Sequence, residues 1–176
     1  MKSSGMIALL SLGLLFAGCG GSGGGSGGIN CDDYCNKGKE CEPTLDLAEC
    51  QTQCVSYNKL VNSSFGSAVT SCLGVSCDQT EACMQTAMQS CNGSIDSFLT
   101  RLCNKVISCQ GGGVTVEQCK ASMQGQSSMA FMKCMSSWAL STLAGCAEAA
   151  SCANFEAEMN ACAESKLGID MGGSDG

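Results

Sequence analysis

Sulfur is the element in this chain that could do chemistry. Of seventeen cysteines in 176 residues, sixteen lie between Cys31 and Cys162, and one, Cys19, stands apart. Thiols in this number can bind metal, carry electrons or cross-link a fold. No two cysteines are separated by two residues, and the chain has no histidine. Zinc ribbons, thioredoxin-like pairs and haem attachment therefore have no C-x2-C to stand on. Met129, Met132 and Met135 recur at i, i+3 and i+6, a spacing that can gather soft thioethers around copper. The same spacing marks the inner face of a helix, and we read it as core. Glu156, Glu158 and Glu164, with Asp32, Asp33 and Glu40, read as solvated helix faces rather than paired acid and base. Serine is frequent, but no G-x-S-x-G occurs between Cys31 and Cys162 and no histidine is present to act as base, so a hydrolase triad is not expected. The chain reads as a non-enzyme that needs no cofactor.

The elements that position these cysteines begin after a leader. Lys2 supplies a short basic region, Met6 to Phe16 an apolar run, and Ala17-Gly18 the small residues of a cleavage point. That is a secretory signal over residues 1–18, too short to span a bilayer. Residues 20–28, GGSGGGSGG, form with Cys19 and Ile29 a tether (19–29), whose nine Gly/Ser positions have a root-mean-square reach of about 15 to 18 Å. With Lys2 removed, sixteen acids face eight bases, a net of −8. This balance argues against nucleic acid as a partner and against electrostatic capture by anionic lipid. Frequent Ala, Ser, Met, Gln and Glu, with few aromatics and one proline, Pro43, give helix composition. The expected class is all-α, built from disulfide-rich tandem helical hairpins.

Leu15-Phe16-Ala17-Gly18-Cys19 resembles the lipobox of bacterial lipoproteins, with Phe16 where leucine is more usual. The resemblance implies that Cys19 is diacylated and becomes the first residue of the mature chain. Gly20 in place of an aspartate retention signal then implies the outer membrane, on its periplasmic face or at the cell surface. Two or three acyl chains anchor stably, each buried methylene adding about 0.8 kcal/mol.

The folded region repeats itself. YCNKGKEC (34–41) matches LCNKVISC (102–109), and Asp46-Leu47-Ala48-Glu49-Cys50 matches Thr115-Val116-Glu117-Gln118-Cys119. At the same shifted register Cys77 aligns with Cys146 and Cys83 with Cys152. Cys91 and Cys162 close the halves, and Cys134 falls seven residues before the counterpart of Cys72. The expected units are repeat 1 (30–98), repeat 2 (99–166) and a frayed tail (167–176). Asp46 to Glu49, Asp78 to Glu81 and Thr115 to Gln118 read as capping boxes, with Leu45 and Val114 as staples. Gly93, Gly111 to Gly113 and Gly168 read as stops. Eight helices follow: 30–41, 46–59, 63–74, 78–91, 95–109, 115–124, 128–143 and 147–166. Cys152, Phe155, Met159 and Cys162 are expected to form one buried stripe, and Ile95, Phe98, Leu102, Val106 and Cys109 another. Trp138, the sole tryptophan, is expected to be buried beside Cys134, with an exposed contact anchor as the alternative.

One pair of cysteines can be assigned from the repeat. Cys31 and Cys54 correspond to Leu99 and Met123; both switch to apolar residues together, which makes them partners. Antiparallel geometry then sets Cys35 against Cys50 and Cys103 against Cys119. The C-x3-C…C-x3-C pattern over residues 31 to 54 resembles the α-hairpinin arrangement of two short helices tied by two bridges. Once Cys31 and Cys54 are removed, seven cysteines remain in each half. Seven is odd, so either an odd number of bridges joins the halves or each half keeps a free thiol; export favours the joining bridge. Sixteen cysteines allow about two million pairings, so the remaining connectivity stays open. A half of about 68 residues buries too little apolar surface to stand comfortably alone, and each bridge contributes about 2 to 4 kcal/mol.

Nearly the whole mature chain resembles the cysteine-rich lipoproteins abundant in myxobacteria, with LCNKVISCQGGGVTVEQC (102–119) the nearest stretch. Cys31 and Cys54 in the first half depart from the pattern. The resemblance implies location and fold and little of mechanism. Three functions are carried forward: a lipid-anchored, non-enzymatic scaffold that binds a protein or envelope partner; an inhibitor or effector module of α-hairpinin type, acting through loop 110–115 or 42–45; and a metal-binding or redox thiol protein.

Overall fold

A computed structural model describes residues 28–168 apart from 112 and 125–127. The signal segment, Cys19, the tether through Gly27 and the tail from Ile169 lie outside the described residues. Within them the chain is all-helical. The helices are α1 (Cys31–Cys41), α2 (Leu47–Leu60), α3 (Ser63–Cys72), α4 (Cys77–Gln89), α5 (Asp96–Gln110), α6 (Val116–Gln124), α7 (Ser128–Met132), α8 (Ser137–Ala149) and α9 (Phe155–Leu167).

Local chemistry starts most of them. Asn30 Oδ1 accepts from the amides of Asp32 and Asp33, and Asp46 Oδ1 from those of Ala48 and Glu49 at 2.9 and 3.0 Å. Asn62 caps α3 and Ser136 caps α8 in the same way. Before α6 the box is reciprocal: the Thr115 amide donates to Gln118 Oε1, and the Gln118 amide to Thr115 Oγ1. Each contact satisfies an amide that has no partner within its own helix. The third expected box does not form, because Ser76 precedes α4 and the helix begins at Cys77 without a side-chain cap. Gly111 and Gly168 end α5 and α9 with positive φ, as C-terminal glycines do.

The two expected helices 128–143 and 147–166 are corrected to three shorter ones, because backbone groups between them are engaged elsewhere. The Lys133 carbonyl accepts from the Gly93 amide and from Asn62 Nδ2. The Cys134 carbonyl accepts from the Asn62 amide, and the Ser136 amide donates to the Leu60 carbonyl at 2.7 Å. Val61 and Met135 pair as an isolated antiparallel bridge. Further on, Glu158 takes the Ser151 amide and hydroxyl at 2.6 and 2.7 Å, which holds a loop ahead of Phe155. Cys152 lies in that loop, exposed, so the expected four-residue stripe does not exist; Ala163 and Leu167 are the buried residues of α9. Gly93 is not a helix stop either. A Cβ there would collide with the Lys133 carbonyl oxygen, so this glycine permits a close backbone approach.

These contacts make a joint with internal two-fold character. Lys59-Leu60-Val61-Asn62-Ser63 runs antiparallel to Lys133-Cys134-Met135-Ser136-Ser137, and in both segments a capping residue opens the next helix. The amide of each capping residue, Asn62 or Ser136, donates to the carbonyl two residues before the other's position. Beneath the joint lies the core: Leu60, Ile95, Phe98, Leu99, Met135, Ala139, Leu140, Leu143, Ala144, Ala163 and Leu167. Helix α8 is its centre, packed on both α5 and α9.

Candidate functional site

Every cysteine from Cys31 to Cys162 is bridged. The hairpin α1–α2 carries Cys31–Cys54 and Cys35–Cys50, and the hairpin α5–α6 carries Cys103–Cys119; these are the three pairs expected from the sequence. Leu99 and Met123, which replace the outer pair in the second hairpin, are respectively fully buried and packed on the core. The other bridges are Cys41–Cys77, Cys72–Cys83, Cys109–Cys152 and Cys146–Cys162, with Cys91–Cys134 between the halves. Of the seven cysteine columns that the repeat suggests, Cys35 with Cys103, Cys41 with Cys109 and Cys50 with Cys119 hold, and the other four change. The bridges align Cys72 with Cys146, Cys77 with Cys152 and Cys83 with Cys162. The sequence alignment missed this because α7 and the joint interrupt the second half, and offsets beyond them grow. Cys91 and Cys134 are left without counterparts and bridge each other, a joining link of the kind the odd count allowed.

With the thiols spent, the remaining candidates are surface groups. Met135 is buried in the core, while Met129 and Met132 are half-buried and packed against it. Arg101 on α5 grips Glu148 on α8 through Nε and Nη2, both at 2.6 Å. That double hydrogen bond holds the Glu148 carboxyl below its ordinary range and the guanidinium above its own. The Ser151 hydroxyl and amide likewise lower Glu158. Lys120 pairs with Asp96, which raises the lysine. Burial, with Tyr57 nearby, raises Tyr34. Asp33, Asn36, Lys37 and Glu40 on α1 line a shallow cleft with Thr70 and Leu73; Lys37 and Glu40 are paired within it.

Trp138 is not buried: 51% of it is exposed. It stands at the start of α8, where side chains lean back toward the helix N-terminus and so toward the joint. Sequence reasoning placed it beside Cys134 and missed that α8 starts only at Ser137, which turns position 138 outward while Ala139 and Leu140 take the core. Phe131 is 42% and Val55 50% exposed. In the α5–α6 loop, Gly111, Gly113 and Val114 are exposed, Val114 to 44%, so this staple does not close.

No family model, curated protein or solved structure matches the chain. Its class therefore rests on what it contains: it is a cysteine-rich helical protein with eight disulfides. Bridges in this number belong to an oxidising compartment. Among the described residues no helix is long and apolar enough to cross a membrane.

Proposed function

We propose that this chain is a lipid-anchored, non-enzymatic envelope protein of the bacterial lipoprotein type, a stapled helical scaffold that works through its surface. The observation that carries this reading is the closed set of eight bridges, which leaves Cys19 as the one cysteine outside the framework. Its position after a lipobox-like segment makes it the anchor, and the outer membrane is the proposed destination. Partners are then the membrane, through the lipid, and a protein or envelope component on the scaffold, with no nucleic acid. Intact mass of the exported protein tests the reading. The expected result is acyl mass on Cys19, no alkylation before reduction and sixteen sites after it, and Cys19→Ala should release the chain from the membrane fraction. Two or more thiols free before reduction would bring metal or redox chemistry back to the front.

The exposure of Gly111, Gly113 and Val114, in the loop of the hairpin that carries Cys103–Cys119, supports a second reading: an inhibitor or effector module resembling α-hairpinins. Dose-dependent inhibition of one member of a panel of secreted enzymes, abolished by Val114→Asp, is the outcome expected of it.

A further inference from the structure

We infer that the end of the molecule bearing Trp138, Phe131 and Val55 seats on the bilayer interface, with the Trp138 indole in the headgroup layer. The inference rests on the lipid-anchor reading above. The chain arriving from Cys19 is fastened at this end: the Ile29 amide donates to Asn58 Oδ1 at 3.2 Å, and Asn58 Nδ2 donates to the Ile29 carbonyl at 3.0 Å. Asn58 adjoins Lys59, whose carbonyl accepts from the Ser136 hydroxyl at 3.0 Å, and Trp138 is two residues further on. Val55 lies one helical turn before Asn58 and Lys59 on α2 and shares their side of the helix. Phe131 lies two residues before the joint segment, and Trp138 one residue after it.

Chain length makes this end the one that faces the membrane. A domain of about 140 residues is roughly 35 to 40 Å across. The nine-residue Gly/Ser run between Cys19 and Ile29 can span at most about 30 Å even fully extended. The end carrying Ile29 therefore stays close to the anchor, and the opposite end cannot replace it without stretching that run.

The chemistry of this end suits an interface. The segments that form the joint, 59–63, 91–95 and 133–137, contain no acid, and they bring Lys59 and Lys133 to it. Of the acids that adjoin this end in sequence, Asp32 accepts from Gln51 and Asp96 pairs with Lys120, while Asp33 is exposed. Meanwhile Glu40, Glu42 and Asp78 flank the Cys41–Cys77 bridge, at the other end of α1 from Ile29. A half-exposed indole with half-exposed Phe131 and Val55 on the elements around the same joint, and lysines within it, suits partition to headgroups.

Trp138 is the sole tryptophan, so its fluorescence reads this contact directly. The full mature chain is placed in vesicles of phosphatidylethanolamine and phosphatidylglycerol through its own acyl chains. If mass spectrometry finds none, the anchor reading fails by itself, and the Cys19 thiol is instead coupled to a maleimide-headgroup lipid, which keeps the docking test intact. Expected are a blue shift of emission relative to the unanchored chain and loss of intensity with lipids spin-labelled near the headgroup, both diminished in Phe131→Ser. Emission unchanged on anchoring and unquenched by those lipids would overturn the inference. So would a blue shift that appears without vesicles and grows with protein concentration, since it would put a second copy on this face.

Discussion

At the scale of single residues, two positions bear specific loads. Glu148 is held ionised by Arg101, and its carboxyl titrates below the ordinary 4.5 in the folded chain. A depressed carboxylate contributes stability that is complete above its unfolded value and is lost as pH falls through the folded one. Acidification from about pH 5 downward should therefore lower the melting temperature, and Glu148→Gln should flatten that decline; Glu158, held by Ser151, acts in the same direction. Thermal melts of both proteins across the acid range check this. Gly93 has a steric duty: Gly93→Ala drives a methyl into the Lys133 carbonyl, and a loss of about 1 to 3 kcal/mol is expected. An unchanged melting temperature would show that the joint yields at little cost.

At the scale of elements, caps and bridges share the work of keeping short helices formed. Helix α6 has nine residues, too few to persist alone in water. It is held by the Thr115–Gln118 box and by Cys103–Cys119. Thr115→Ala should cost about 1 kcal/mol and should speed amide exchange in α6 more than in α5. The cap at Asp46 and the reciprocal box at 115–118 were legible because their chemistry is local, although Glu49 turns to Gln53 and leaves the first box one-sided. The break at 133–136 was not, since nothing in Lys133-Cys134-Met135-Ser136 itself disfavours a helix strongly. What ends the helix is competition from Leu60, Asn62 and Gly93 for the same backbone groups. The exposure of Trp138 follows from that break and was hidden with it.

At the scale of the whole molecule, Cys91–Cys134 is the one covalent tie between halves apart from the chain itself, and it closes 43 residues. Cys91→Ser with Cys134→Ser should cost about 2 to 4 kcal/mol. The loss should concentrate at the joint: amides of 59–62 and 133–136 should gain exchange rate, while the internally bridged hairpins keep their protection. Uniform loss across all helices would mean that the halves fold as one indivisible unit. The shared core argues for some residual coupling, because Leu60 from the first half packs with Met135 and Leu140 of the second.

Helix composition, local caps, the doubled C-x3-C hairpin and the parity of cysteines were set by the sequence alone, because each depends on neighbours along the chain or on counting. From these the all-α class, three bridges and the expectation of an inter-half link could be read. Which cysteines make that link, where α7, α8 and α9 begin, and which way Trp138 faces were decided by tertiary structure. Each of these depends on backbone groups far apart in sequence competing for the same partners, and a one-dimensional pattern carries no record of that competition.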